Sequence, residues 1–323
     1  MARPFALMRQ RPRLRALLLP ALRLALSLGL LAIVLLWLDP AALAQAFAAP
    51  QPGWLLLALG LSLPQIVLSA WRWRLTAHQL GVPLGLRHAV AEYYLATFLN
   101  QLLPGGVMGD AGRAWRHARS TDAAAGQRAG AWHAVLIERA SGQLALLIVA
   151  LLALAWSPAL QAVTAHMLEL GNATHGGSAA ALAWLLLAGV VLVGLALWRR
   201  PAVLVHLGRA TRRALLVRAV FARQLIASLL IVASYLAVYL CCMRMVGITT
   251  PFGEVLPLVP WVLLAMAIPL SIAGWGIREG AAALVWSLAG LNAAEGVAIS
   301  VSYGLVVLLS SLPGALLLLP RRR

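Results

Sequence analysis

The chain contains no lysine, only nine acidic residues in 323, and two cysteines that stand side by side. Without lysine there is no Walker lysine to hold a nucleotide phosphate and no amine to form a Schiff base. Cys241 and Cys242 fall inside an apolar segment, where they read as small core hydrophobes and not as a disulfide framework or a metal pair. The His-Glu-x-x-His, Cys-x-x-Cys and Gly-x-Ser-x-Gly signatures are missing. Gly274-x-Gly276 has neither a third glycine at dinucleotide spacing nor a βαβ unit around it. The seven histidines are scattered, and solvated surface roles are expected for His117 and His133, the two nearest the polar segments. These gaps lead to the expectation of no metal and no cofactor.

Apolar length takes their place. With 62% hydrophobic and 11% charged residues and a mean hydropathy of +0.88, the chain lies far from the soluble balance of about 45–50% apolar and about 25% charged. An all-α, polytopic membrane protein is expected. A formal charge of +17 suggests nucleic acid in a soluble protein, but here the arginines sit between apolar segments, as in cytoplasmic membrane loops, so nucleic acid is not an expected partner.

Candidate spans are 17–38, 54–71, 131–156, 179–198, 224–246, 255–272, 280–291 and 296–319, about eight in one integral membrane domain over 1–323. The piece 280–291 is short for a span, and it either tilts, extends or joins 255–272 as a broken element. Arg-rich residues 3–15 and Ala44-Gln45-Ala46 imitate a signal peptide, but the run Leu17 to Leu38 exceeds the ~7–15 residues of a signal core and suits an uncleaved anchor. The segment 89–103 is too short for a comfortable span and lies between basic flanks, as expected of a re-entrant hairpin. Cytoplasmic segments are then 1–16, 72–88, 104–130, the basic loop 199–223, 273–279 and 320–323, with both termini inside. The opposite loops 39–53, 157–178 and 292–295 hold no arginine. Trp54, Trp71, Trp73 and Trp198 are placed as interfacial anchors, and Arg244 as a snorkelling residue.

Two breaks organise the chain: the region 89–113, with its FLNQLLPGGVMGDAGRAWR stretch from Phe98 to Arg116, and the region 269–280, PLSIAGWGIREG. In the first, Pro104 ends the apolar run, Gly105, Gly106 and Gly109 permit a turn, and Asp110 is placed to cap a helix bearing Arg113 and Arg116. In the second, Gly274 and Gly276 precede Arg278 and Glu279. Paired interruptions in two halves of a membrane protein point to a midplane binding site.

Charges in or beside apolar segments are costly, roughly 2.5–3.5 kcal/mol each at a helix centre on insertion scales, so they pair, face a cavity or serve a substrate path. Asp110, Glu138 and Glu279, with Glu92 beside them, are the carboxylates of interest. Arg113, Arg139 and Arg278 suit a phosphate, because guanidinium keeps its charge and offers a bidentate fork. Pairings such as Glu138 with Arg278 or Arg139 with Glu279 would join the halves. Free backbone N–H groups near Gly105 to Asp110 and Ala273 to Gly276 would add anion donors. Plainer readings stand beside these: Asp110 as a simple N-cap, Arg113 and Arg116 as cytoplasmic anchors, and the Glu138-Arg139 and Arg278-Glu279 charges as structural ion pairs.

The ordered motifs Asn100-Gln-Leu-Leu-Pro104-Gly-Gly-x-x-Gly-Asp110-x-x-Arg113, Glu138-Arg139 and Gly274-x-Gly276-x-Arg278-Glu279 resemble the lysylphosphatidylglycerol synthase transmembrane family of flippase-like membrane proteins, over nearly the whole chain. That family includes the membrane half of bacterial aminoacyl-phosphatidylglycerol synthases and stand-alone proteins associated with hopanoid or glycolipid pathways. The resemblance implies a bacterial inner-membrane, lipid-handling domain with Asp110, Arg113, Glu138, Arg139, Arg278 and Glu279 as its polar site. Two departures matter. Gly142 stands where the family often carries Asp, and these 323 residues hold no soluble aminoacyltransferase domain, so lysyl transfer is not implied.

The expected function is translocation of an anionic or isoprenoid-linked lipid, with membrane lipids as partners. Two alternatives remain open: a membrane-embedded lipid transferase, and a non-catalytic partner of a lipid synthase or glycosyltransferase docking through 199–223.

Overall fold

The computed structural model describes residue 29 and residues 50–103, 106–120, 125–158, 160–161, 201–215, 217–268 and 271–318. Among the described residues there are ten α-helices and no β-strand: α1 Pro52–Gln79, α2 Leu86–Leu102, α3 Met108–Ser120, α4 Ala125–Trp156, α5 Pro201–Leu215, α6 Arg218–Met245, α7 Phe252–Val255, α8 Val259–Ala265, α9 Ile277–Leu288 and α10 Ala293–Ser311, the last running into a 3-10 turn over Leu312–Leu318. Pro52 and Pro201 stand at first helical positions, where a missing N–H costs nothing. Helices α1, α6 and α9 end on Gly81, Gly247 and Gly290, all at positive φ. In each case the next residue donates back across the last turn, as Val82 N–H does to Ala77, so that freed carbonyls are satisfied.

Four helical stretches, Pro52–Gln79, Gln127–Trp156, Val220–Met245 and Ala293–Leu318, are long and apolar enough to cross a membrane. Helix α4 exposes Leu144, Leu147, Ile148 and Leu151 along one stripe, the i, i+3, i+4, i+7 pattern of a lipid-facing surface. The chain is a multi-pass membrane protein.

The expected spans 17–38, apart from residue 29, and 179–198, most of the loop 157–178, Trp198, Pro104, Gly105 and Pro269 lie outside the described residues. The expected span 255–272 is not one helix. Pro257 falls between α7 and α8, Pro260 stands in the first turn of α8, and the described residues 266–268 and 271–276 beyond α8 hold no helix. The segment 280–291 extends back to Ile277, as α9, and that helix ends at Leu288. The basic segment 199–223 is largely the helix α5, whose Ala210 and Ala214 pack on Ile137 of α4 while Arg209, Arg212 and Arg213 stay exposed. Its even mixture of apolar and basic residues disguises an amphipathic helix as a loop.

The described residues form two compact units. The first takes them from Met1–Val67, Val90–Arg113 and Ala233–Arg323, and the second from Leu68–Ala89 and Ala114–Val232. In the first, α9 and α10 form a tight hairpin capped by Asn292, whose side chain accepts from Ala294 N at 2.9 Å. The pair approaches closely because a Cβ at Gly296 would stand 2.8 Å from the Trp286 ring. In the second, Arg72 Nη1 donates to Ser228 Oγ at 2.9 Å and Gln224 Nε2 to Thr76 Oγ1 at 3.0 Å. Both rungs have the same residue sum, so α1 and α6 run antiparallel. Such interhelical bonds are each worth about 0.6 to 2 kcal/mol in a membrane.

Candidate functional site

The first break closes on itself through side chains. Asn100, near the end of α2, donates from Nδ2 to Asp110 Oδ2 at 2.7 Å and accepts the Gly109 N–H on Oδ1 at 2.8 Å. Any Cβ at residue 109 would collide with the Ala96 carbonyl and stand 2.8 Å from Asn100 Oδ1, so only glycine lets α3 start against α2. Asp110 is not the N-cap expected from sequence. Helix α3 begins at Met108, which puts Asp110 inside its first turn, and its second oxygen accepts from Arg113 Nε at 2.9 Å. Arg113 is fully buried and lies 4.5 Å above the Tyr93 ring, a cation–π contact that partly replaces lost hydration. Arg116 is only half-buried.

The second break is built from unusual backbone. Ala273, Gly274 and Gly276 take φ of 53°, 82° and 84°. Positive φ costs an alanine roughly 1–2 kcal/mol, a local strain that the packed surroundings must hold. Helix α9 starts after Gly276, and Glu279 folds back so that Oε2 accepts the Gly276 N–H at 2.6 Å. Its other oxygen, Oε1, receives Arg278 Nη2 at 2.6 Å, Arg278 Nε at 3.1 Å and Ser300 Oγ at 3.2 Å. Ser300 also accepts from Arg278 Nε at 2.9 Å. Arg278 and Glu279 are 1% and 0% exposed, so the pair is inside the protein. The Trp275 and Tyr303 rings lie 5.2 and 5.6 Å from the guanidinium. Gly304 leaves room for it, since a Cβ there would collide with Arg278 and stand 2.9 Å from Trp275.

Of the sequence-derived candidates, Asp110, Arg113, Arg278 and Glu279 thus lie in the first unit as two buried pairs. Glu138 and Arg139 lie in the second. The ion pairs formed are Glu138 with Arg72 and Glu279 with Arg278, in place of the expected Glu138 with Arg278 or Arg139 with Glu279. Sequence neighbours can pair at Arg278 because the capping fold of Glu279 turns its carboxylate toward the guanidinium. Three of the expected donors are spent: the N–H groups of Gly109, Trp275 and Gly276 bond Asn100, Ile272 and Glu279.

Sequence reasoning missed Arg72, taken as a cytoplasmic residue beyond a span ending at Trp71. Helix α1 continues to Gln79, and Arg72 is 4% exposed. Its Nη2 lies 2.6 Å from Glu138 Oε1 and 3.0 Å from the Glu138 carbonyl. The signal was helical phase. Ser62, Ile66, Ser69, Trp73 and Thr76 form a buried face that Arg72 adjoins. Gly142, the departure from the family pattern, packs here, and a Cβ on it would stand only 2.8 Å from Arg72 Nη2.

Two further expectations are corrected. Trp73 is fully buried and meets His117 edge-on at 5.5 Å, so neither is a surface residue. His117 Nε2 also lies 3.1 Å from the Pro83 carbonyl. Arg244, half-buried in the last turn of α6, reaches past the helix end: Nη1 donates to Ile248 O at 2.8 Å and the guanidinium covers Phe252 at 4.3 Å. Both cysteines are buried thiols. Among the described residues no three His, Cys, Asp or Glu side chains gather to hold a metal.

What these centres offer chemically is permanent positive charge in an apolar setting, held by carboxylates and flanked by aromatic rings. A family model described as the lysylphosphatidylglycerol synthase TM region matches residues 21–314. No curated protein and no solved structure matches the chain.

Proposed function

Because the chain belongs to the lysylphosphatidylglycerol synthase TM region family, a membrane family related to lipid modification or transport, we propose that it binds the phosphate of an anionic or isoprenoid-linked lipid and moves that lipid between leaflets. The observation that carries this reading is the pair of fully buried guanidinium groups, Arg113 and Arg278, each placed at a helix break in the first unit. Broken helices inside a membrane bundle are found where backbone is covered by protein or lines a wet cavity, and such places hold polar substrates.

In this reading Asp110 and Glu279 keep the two cations neutralised while no substrate is present. Arg278 gives Nε and Nη2 to Glu279 and Ser300, and no described residue takes its Nη1. A phosphate has a donor there before any ion pair is broken, and it then competes with Glu279 for the bidentate face. The exchange of one anion for another keeps the total buried charge nearly constant. That is the least costly way to admit a charged headgroup, since burying an unpaired ion costs several kcal/mol, roughly.

The test is leaflet exchange of fluorescent phospholipids in proteoliposomes. Wild type accelerates exchange over protein-free vesicles, and Arg113→Lys and Arg278→Lys, which keep the charge and lose the fork, slow it by about tenfold or more. Exchange no faster than in empty vesicles, across anionic and isoprenoid phosphates, contradicts the proposal. The partner alternative draws on the exposed Arg209, Arg212 and Arg213 of α5. It requires that neutralising this face abolish function while the Arg278 variants keep it.

A further inference from the structure

A second polar place belongs to the second unit and uses no residue of either break. A cavity of about 200 Å³ opens in the second unit, lined by Trp71, Arg74, Leu75, His78 and Gln79 from the last turns of α1 and by Arg223 from the start of α6. Two guanidinium groups, an imidazole, an amide and an indole surround it, and among the described residues no carboxylate does. Arg74 is anchored by its Nε, which donates to the Leu84 carbonyl at 3.1 Å, and His78 Nε2 lies 3.1 Å from the same oxygen. Leu84 is itself buried, so this carbonyl is a fixed post. Among the described residues, neither Arg74 nor Arg223 meets a carboxylate at ion-pair distance. Arg72, two residues earlier, spends its guanidinium on Glu138 and Ser228.

We propose that this cavity receives the phosphate of a lipid headgroup. Among the described residues the charge around it is uncompensated and of one sign, and an anchored guanidinium presents its outer N–H groups without the entropy cost of fixing a loose side chain. At roughly 30 Å³ per water, the volume corresponds to about six or seven waters, enough for a phosphate diester and a short polyol. Depth selects the occupant. The pocket sits where the apolar run of α1 ends, with Trp71 half-buried among arginines, the composition of the headgroup level of a bilayer. Phosphate diesters are the anions concentrated there. The inference rests on the reading that this chain handles phosphate-bearing lipids. It adds a second place where a headgroup is held, outside the buried pairs.

Binding is measured without transport. Full-length protein in non-ionic detergent is titrated with dihexanoylphosphatidylglycerol and, separately, with inorganic phosphate, counting bound molecules by native mass spectrometry. Arg74→Gln/Arg223→Gln loses one bound phosphatidylglycerol, or weakens it by about tenfold or more, the scale of removing charge-assisted bonds. Arg223→Glu alone does the same; Arg223 is exposed, so its folding is not at issue. Arg74→Lys/Arg223→Lys recovers most of the binding. Unchanged stoichiometry and affinity in Arg223→Glu overturns the proposal. If inorganic phosphate binds as tightly as the lipid and is lost in the same variants, the site takes free phosphate and the lipid assignment is overturned. A pocket that binds in a protein moving no lipid leaves this inference standing and removes translocation. Exchange that proceeds while Arg223→Glu binds as wild type does the reverse.

Discussion

Arg278 and Arg72 are both buried arginines that meet a glutamate oxygen at 2.6 Å, yet they are held in different ways. Arg72 lies within a continuous helix and ties three of them, reaching Glu138 and its carbonyl on α4 and Ser228 on α6. Arg278 lies in the first turn of a helix that follows strained backbone, its partner is the next residue, and aromatic rings cover the rest. Burial and ion pairing alone therefore do not mark a functional charge. What separates the two is whether the guanidinium is used up by the scaffold. At Arg72 both terminal nitrogens are engaged between helices; at Arg278 the contacts are local and one terminal nitrogen takes no described partner.

The largest expected effect tests the scaffold half of this comparison. Arg72→Ala strands Glu138 and costs about 3–5 kcal/mol, read as a lower unfolding midpoint in detergent, whereas Arg72→Met/Glu138→Gln regains most of the loss because no charge is left uncompensated. Gly304→Ala comes next. The new methyl displaces the Arg278 guanidinium and Trp275, which costs about 1–3 kcal/mol as overpacking and slows lipid exchange more than its stability loss explains. Gly142→Ala presses Arg72 in the same manner from 2.8 Å, costs about 1 kcal/mol, and leaves exchange unchanged in folded protein. Smallest is Thr76→Val, which orphans Gln224 Nε2 and lowers stability by about 0.6–1 kcal/mol with exchange intact. Equal losses of exchange in the Gly304 and Gly142 variants would erase the distinction.

Much of this is legible in the amino-acid sequence. Pro and Gly clusters locate both breaks, and the cost of burying charge singles out Asp110, Arg113, Glu138, Arg278 and Glu279. Partners are not legible there. Pairing depends on helix phase and on which helices touch, and hydropathy averages both away. Arg72 escapes notice because the apolar run stops at Trp71 while the helix runs eight residues further, carrying Arg72 inward. Helix α5 reads as a loop because its apolar and basic residues cancel in an average, although their spacing is helical. The anion-donor role expected for the Gly276 N–H fails for a local reason, since Glu279 three residues on already supplies an acceptor.

The most direct test replaces each ion pair whole and asks which one transport needs. Arg72→Met/Glu138→Gln and Arg278→Met/Glu279→Gln each remove one buried pair while keeping volume and leaving no lone charge. In the second, the amide oxygen that replaces the Glu279 carboxylate still accepts the Gly276 N–H. Both variants are reconstituted after their unfolding midpoints confirm native folding, and leaflet exchange is measured beside wild type. The account predicts exchange retained in the first and lost in the second. Exchange lost in the first and kept in the second would contradict it.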